Sequence, residues 1–150
     1  MTALRWGSVE APTAVPPPET ASLLVFHLGH QAYAVPLGEV DAVVRAAEVR
    51  PVPQPRPFVI GVIERDGEPV PVVDLAAVLE TDAPRAQHVL VHLGPHGPVA
   101  FLVDVAAGVA RGVLRELGSH LQRAGGCLAA LADVDGETAY VLDLGRAAPR

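Results

Sequence analysis

Residues 57–75, PFVIGVIERDGEPVPVVDL, carry two Val- and Ile-rich runs on either side of Asp66 and Gly67, and the last ten residues return as DGETAYVLDL at 135–144. Six of the ten positions are identical in the two copies: Asp, Gly, Glu, Val, Asp and Leu. An Asp-Gly pair between β-branched runs is a favoured tight reversal, so Phe58 to Ile63 and Val70 to Val73 are predicted to form a hairpin. Asp74 then introduces LAAVLE, and an aspartate in that place is a common helix N-cap. Asp143 stands the same way before Leu144. A carboxylate at a strand end is catalytic in many enzymes, but its duplication suits a cap that both halves need in order to fold. Glu68 and Glu137 directly follow the turns, where a solvated acid lacks the apolar wall that would raise its pKa for general-acid work.

The repetition extends outward. HVLVHLG (88–94) echoes LLVFHLG (23–29) at an offset of 65, and the ten-residue phrase recurs at an offset of 69. Two offsets that agree to within a loop imply two halves with a shared order of hairpin, crossover and hairpin. In the first half, Leu23 to Leu28 and Ala32 to Pro36 are split by Gly29 and His30, another hairpin signal. Leu37, Val40, Val43, Val44 and Ala47 fall at helical spacing and favour a short amphipathic helix over 37–47, with a strand as the alternative. Prolines at 51, 53, 55 and 57 then hold the chain extended. Pro69 and Pro71 aim their missing donors to one side, which predicts a sheet edge there; Thr138 and Tyr140 occupy those places in the second copy. Short valine-rich strands punctuated by Gly and Pro indicate an all-β fold, a pair of small barrels or a sandwich. Aromatics supply only 4% of the chain, so packing rests on branched aliphatics, and the two related sub-domains are expected to share one core.

With 150 residues the chain is the size of one domain, and such a chain buries roughly 68 to 70% of its unfolded surface. Residues 1–21, rich in Pro, Ala and Thr and holding the lone Trp6, read as a disordered tail, leaving 22–150 as the folded domain. The single Cys127 excludes an internal disulfide and has no nearby base to recommend it as a nucleophile. No charged-then-apolar leader opens the chain and no apolar run is long enough for a membrane span, so a cytoplasmic protein without membrane insertion is expected. A net charge of −6, spread along the chain, argues against a nucleic-acid partner. There is no lysine, which removes Schiff-base chemistry and the lysine of a phosphate-binding loop.

His88, His92 and His96 suggest a metal site, and a small metal-dependent enzyme using them with the strand-end acids is the competing reading. Residues i and i+4 on a strand lie about 13 Å apart, too far to share one ion unless the strand bends sharply. No metal or cofactor is therefore expected.

LVFHLGHQAYAVPLGEV (24–40), PVPQPRPFVIGVIERDGEPVPVVDLAAVL (51–79), AFLVDVAAGV (100–109) and LADVDGETAYVLDL (131–144) together resemble the CheW-like domain in order and spacing, over about Leu23 to Leu144. The resemblance implies two small five-stranded barrels around a continuous core, with short helices. It implies a non-enzymatic adaptor that couples the histidine kinase CheA to chemoreceptor tips in bacterial chemosensory arrays. A strand edge of one sub-domain would meet the kinase regulatory domain, and the groove between sub-domains would take a receptor's helical hairpin. Gly61, Val62 and Gly67 keep the family pattern around the receptor-facing loop. Glu64 stands where Asn is usual, Arg65 where Leu is usual and Asp66 where Arg is usual; Ala42, beside Val43, stands where Glu is common. Exchanging Arg for Asp reverses the charge and removes a planar fork of donors. Either the partner carries compensating charges, or the chain has left receptor coupling and scaffolds another motility or developmental assembly.

Overall fold

The structure, a computed structural model, describes residues 20–52, 58–82, 86–95, 97–117 and 126–148, and within them the repeated phrase occupies equivalent places in the two halves. Strands β4 (Val59–Arg65) and β5 (Glu68–Asp74) form the first copy's hairpin, followed by helix α1 (Leu75–Val78). At an offset of 69 residues come β9 (Leu128–Val134), β10 (Glu137–Leu142) and α2 (Leu144–Ala147). Both turns are built alike: Asp66 and Gly67 have φ of 52° and 79°, Asp135 and Gly136 of 48° and 81°. Only Gly, Asn and Asp enter this left-handed region at low cost, which is why the turn spells Asp-Gly twice. The Ala77 N–H donates to Asp74 Oδ1 at 3.3 Å and the Gly145 N–H to Asp143 Oδ1 at 3.0 Å, so both strand-end aspartates are helix caps, as the sequence indicated.

The opening hairpins are β1 (Thr20–Leu28) with β2 (Gln31–Pro36), and β6 (His88–Gly94) with β7 (Gly97–Val103). Thr20 and Ala21 thus belong to a strand; the rest of the expected tail, with Trp6, lies outside the described residues, as do Pro53, Pro55 and Pro57. The helix expected over 37–47 is absent. Leu37–Glu39 and Ala46–Glu48 each make a single 3-10 turn, and between them β3 (Ala42–Arg45) pairs antiparallel with β6, Val43 opposite Leu90. Over so short a stretch the apolar positions satisfy both periods. The β-branched Val43 and Val44 and a free edge on β6 decide for the strand.

Each sheet combines the two halves. A closed barrel runs β1-β2-β10-β9-β8, where β8 is Val105–Arg115, and the second sheet runs β3-β6-β7-β5-β4. Every sheet therefore takes the opening hairpin of one half and the remaining strands of the other. Two short parallel ladders make the exchange, Tyr140 and Val141 of β10 beside Tyr33 and Ala34, and Val72–Asp74 of β5 beside Ala100–Leu102. Instead of a second closed barrel, the β3-to-β4 sheet is a half-barrel. Among the described residues the segment that follows β3 is tied to the edge strand β4 by the isolated bridge between Arg50 and Val62, whose backbones exchange two hydrogen bonds of 2.8 Å.

The predicted edge at Pro69 and Pro71 needs correction: β5 lies inside its sheet, between β4 and β7. The physical argument holds locally, because the ladder to β7 stops at Val72, where Pro71 and then Pro69 would have to donate. In the second copy the corresponding ladder extends to Tyr140, which has the N–H that Pro71 lacks.

Alternation along the strands sorts side chains into three cores. Leu23, Val25, Ala32, Ala34, Ala132, Ala139 and Val141 fill the barrel, whose narrow interior explains the alanines. Ile63, Val70, Val72, Val89, Val91 and Ala100 fill the half-barrel. The intervening residues, including Phe26, Val35, Leu75, Leu90, Phe101, Leu142 and Leu144, form the large core that both sheets share. Among the described residues no helix is long and apolar enough to cross a membrane.

Candidate functional site

The histidines of the competing reading have structural partners. His88 Nδ1 accepts from the Ala106 N–H at 3.3 Å; His92 is buried, its Nδ1 2.8 Å from the Glu39 carbonyl oxygen and its ring tilted against Phe101. Nδ1 must carry the proton to donate to that carbonyl. His96 lies outside the described residues, and among those described no group of three His, Cys, Asp or Glu side chains is placed to hold a metal ion. Cys127 is buried, and burial pushes its thiol up, away from the reactive thiolate.

The eight residues singled out as partner-binding gather at the open side of the half-barrel. Ala42 packs toward its interior while Val43, on the opposite face of β3, is 42% exposed. Gly61 is enclosed: a Cβ there would collide with the Arg50 carbonyl oxygen and lie 2.9 Å from Val49 Cγ1. Glycine is what allows the 49–50 segment to approach β4, so that Val62 can form its bridge. Glu64 is exposed, near Glu48 and Arg50. Arg65 reaches Asp41 Oδ2 at 3.5 Å, tying the end of β4 to the start of β3. Asp66 and Gly67 form the exposed turn. Phe58 and Ile60, the latter the extra residue of a β-bulge, add exposed apolar side chains to this side.

None of the eight lines the broad open groove of about 780 Å³ where the two sheets meet. Its described walls are His27, Gly29 and His30 of the first hairpin, Asp82, and Asp104, Val105 and Ala107 where the chain passes from one sheet to the other. Asp104 is buried, accepts from the Gly29 N–H at 2.7 Å and donates its own N–H to the His27 carbonyl, bracing the groove. Beyond it, Gly108 and the 60% exposed Val109 continue an apolar border. The sequence reading missed these residues; the signal available was VAAGVA, a strand with too few polar positions for an outward face.

Glu39 sits at the seam between the sheets. Burial raises its pKa and Asp143 raises it further, against the opposing pull of His92 and of the Leu144 N–H, which donates to the carboxylate. A raised acid pKa in the fold gives stability that is full below the ordinary value of 4.5 and is lost as pH rises through the folded value. Glu39→Gln, which keeps an acceptor for Leu144, is therefore expected to stabilise the fold at neutral pH by less than about 1 kcal/mol given solvent screening, read as a higher melting temperature, with the gain vanishing in acid. A Gln variant less stable than wild type at neutral pH would contradict this.

A family model described as the CheW-like domain matches residues 22–149. The chemotaxis protein CheW of Thermotoga maritima is 35% identical over 91 residues, which span 59% of this chain and 60% of that protein. The crystal structure of the scaffolding protein TtCheW from Thermoanaerobacter tengcongensis shares the fold, with a TM-score of 0.76 over 94% of both chains at 16% identity.

Proposed function

The chain belongs to the CheW-like domain family, and from that premise we propose that it is a non-enzymatic adaptor coupling a CheA-type histidine kinase to a chemoreceptor tip or another helical hairpin. The observation that carries this reading is the separation of two surfaces on one scaffold. The open side of the half-barrel offers Val43, Phe58 and Ile60 beside unpaired strand edge, a surface suited to a CheW-like regulatory domain that docks by its own strands. The groove between the sheets, where Gly29, Val105 and Ala107 lie among His27, His30, Asp82 and Asp104, is broad and open enough to receive a helical hairpin. Two partners bound at separate places need not compete, which is what coupling requires. Interfaces of about 800 Å² per partner are the expected scale.

Residues Ala42, Val43, Gly61, Val62, Glu64, Arg65, Asp66 and Gly67 belong on this reading to the half-barrel face. The chain's work is then in the cytoplasm, at the array that its partners form. The test is retention of the regulatory domain of a cognate CheA-type kinase on this chain, immobilised. Retention with micromolar or tighter affinity is expected, and Val43→Arg should weaken it by about 2 kcal/mol. No retention above a blank matrix would remove the kinase half of the proposal.

A further inference from the structure

We propose that the mouth of the half-barrel is a docking cleft for a protein segment that presents an arginine or lysine beside a leucine-sized apolar side chain. The inference rests on the adaptor reading and names the chemistry that one of its partners must carry.

The cleft follows from the two prolines. Because Pro71 and Pro69 cannot donate, β5 parts from β7 below Val72, and the gap between Pro69 and Pro98 opens onto Val91. The opening measures about 330 Å³ and is bordered by Asp41, Arg65, Asp66, Glu68, Pro69, Leu93 and Pro98. Leu93 follows the parity of Val89 and Val91, which face the half-barrel core, but it lies past the rim of that core. It is 61% exposed, more than any other large apolar side chain described, so covering it is the largest single gain a partner can take here.

The charges set the chemistry of that partner. Three carboxylates, Asp41, Asp66 and Glu68, face one guanidinium, and Arg65 is already engaged by Asp41 at 3.5 Å. Asp66 and Glu68 form no ion pair among the described residues and stand on the exposed side of the cleft. Such a rim repels phosphate and anionic lipid, and its carboxylates are not grouped to hold a metal ion. A cationic side chain that reaches Asp66 and Glu68 while its neighbour covers Leu93 satisfies both features, with steering by the charges and burial by the leucine.

The test titrates the full chain by calorimetry against the regulatory domain of a cognate CheA-type kinase and against a chemoreceptor tip from the same cell, at low and at high salt. Leu93→Asp changes only an exposed side chain. Asp66→Asn with Glu68→Gln removes both charges while keeping a residue that tolerates φ of 52° at position 66. Leu93→Asp is expected to weaken binding to the kinase regulatory domain, the partner assigned to the half-barrel face, by about thirtyfold. The double variant should weaken it about fivefold at low salt and little at high salt, since rim charges act chiefly through steering. Binding to that domain that neither change alters would overturn the cleft and leave the adaptor reading standing. Tighter binding by the double variant would overturn the basic character of the partner. Failure of wild type to bind both proteins would overturn the adaptor reading itself, and this inference with it. Melting temperatures within a degree or so of wild type exclude misfolding as the cause.

Discussion

Gly61→Val is expected to destabilise the protein by about 3 kcal/mol or more, at the upper end of the range for overpacking. The obstruction is backbone, not a side chain that can turn away: the first carbon of any side chain meets the Arg50 carbonyl, with the Arg50 carbonyl carbon at 3.0 Å and Val49 Cγ1 at 2.9 Å. Relief requires the 49–50 segment to leave β4. That breaks the two hydrogen bonds between Arg50 and Val62 and, with them, the isolated bridge that ties the segment after β3 to β4. Gly67→Ala is the control. A Cβ there meets nothing within 4 Å, and only its φ of 79° is unfavourable to alanine, so the cost should stay near 1 kcal/mol. Urea unfolding of the two variants checks the contrast, and equal losses would mean that the approach of residue 50 to β4 does not close the half-barrel.

Phe101→Ala should cost about 3–5 kcal/mol, the usual consequence of emptying a large aromatic site in a packed core. Phe101 is fully buried in the core shared by the sheets, among Phe26, Leu142 and Leu144 from the barrel side and Val73 and Leu90 from the half-barrel side. Its more informative outcome is the shape of the transition. Each sheet contains strands from both halves, so neither can unfold and leave the other with its hairpin. Wild type and variant are both expected to unfold in a single calorimetric transition, the variant at a lower temperature. Two separated transitions would contradict a shared core.

How far these features could be read from the amino acids depended on the range of the interaction that sets them. The Asp-Gly turns and the caps at Asp74 and Asp143 are local, and the repeated phrase revealed them twice. The exchange of hairpins was hidden because a repeat at an offset of 69 is equally consistent with each hairpin staying in its own half; only the parallel ladders at Tyr33 and at Ala100 distinguish the two. The segment 37–47 misled because five apolar positions in eleven residues fit a helix as well as a strand. Pro69 and Pro71 were read correctly as a side without donors and wrongly as the margin of the sheet, since two missing hydrogen bonds open a cleft without removing the neighbouring strand.

The proposed interaction face shows the same division. Its family-patterned residues, Gly61, Val62 and Gly67, were visible as a motif. The pairing of Arg65 with Asp41 joins residues that only the fold brings together, and it is an exposed contact worth little by itself. Nothing in the sequence marks out Leu93, one apolar residue among those of β6. Its exposure comes from the place where the half-barrel ends, which no spacing within β6 records.

The central claim, that the chain couples two partners, is tested most directly by reconstituting a CheA-type kinase and a chemoreceptor from the same cell and following autophosphorylation of the kinase with and without this protein. The expected result is that receptor and ligand change the rate of phosphate incorporation only when the chain is present, and in proportion to it up to saturation. A kinase that responds to receptor equally well in its absence, or does not respond in its presence, would contradict the account.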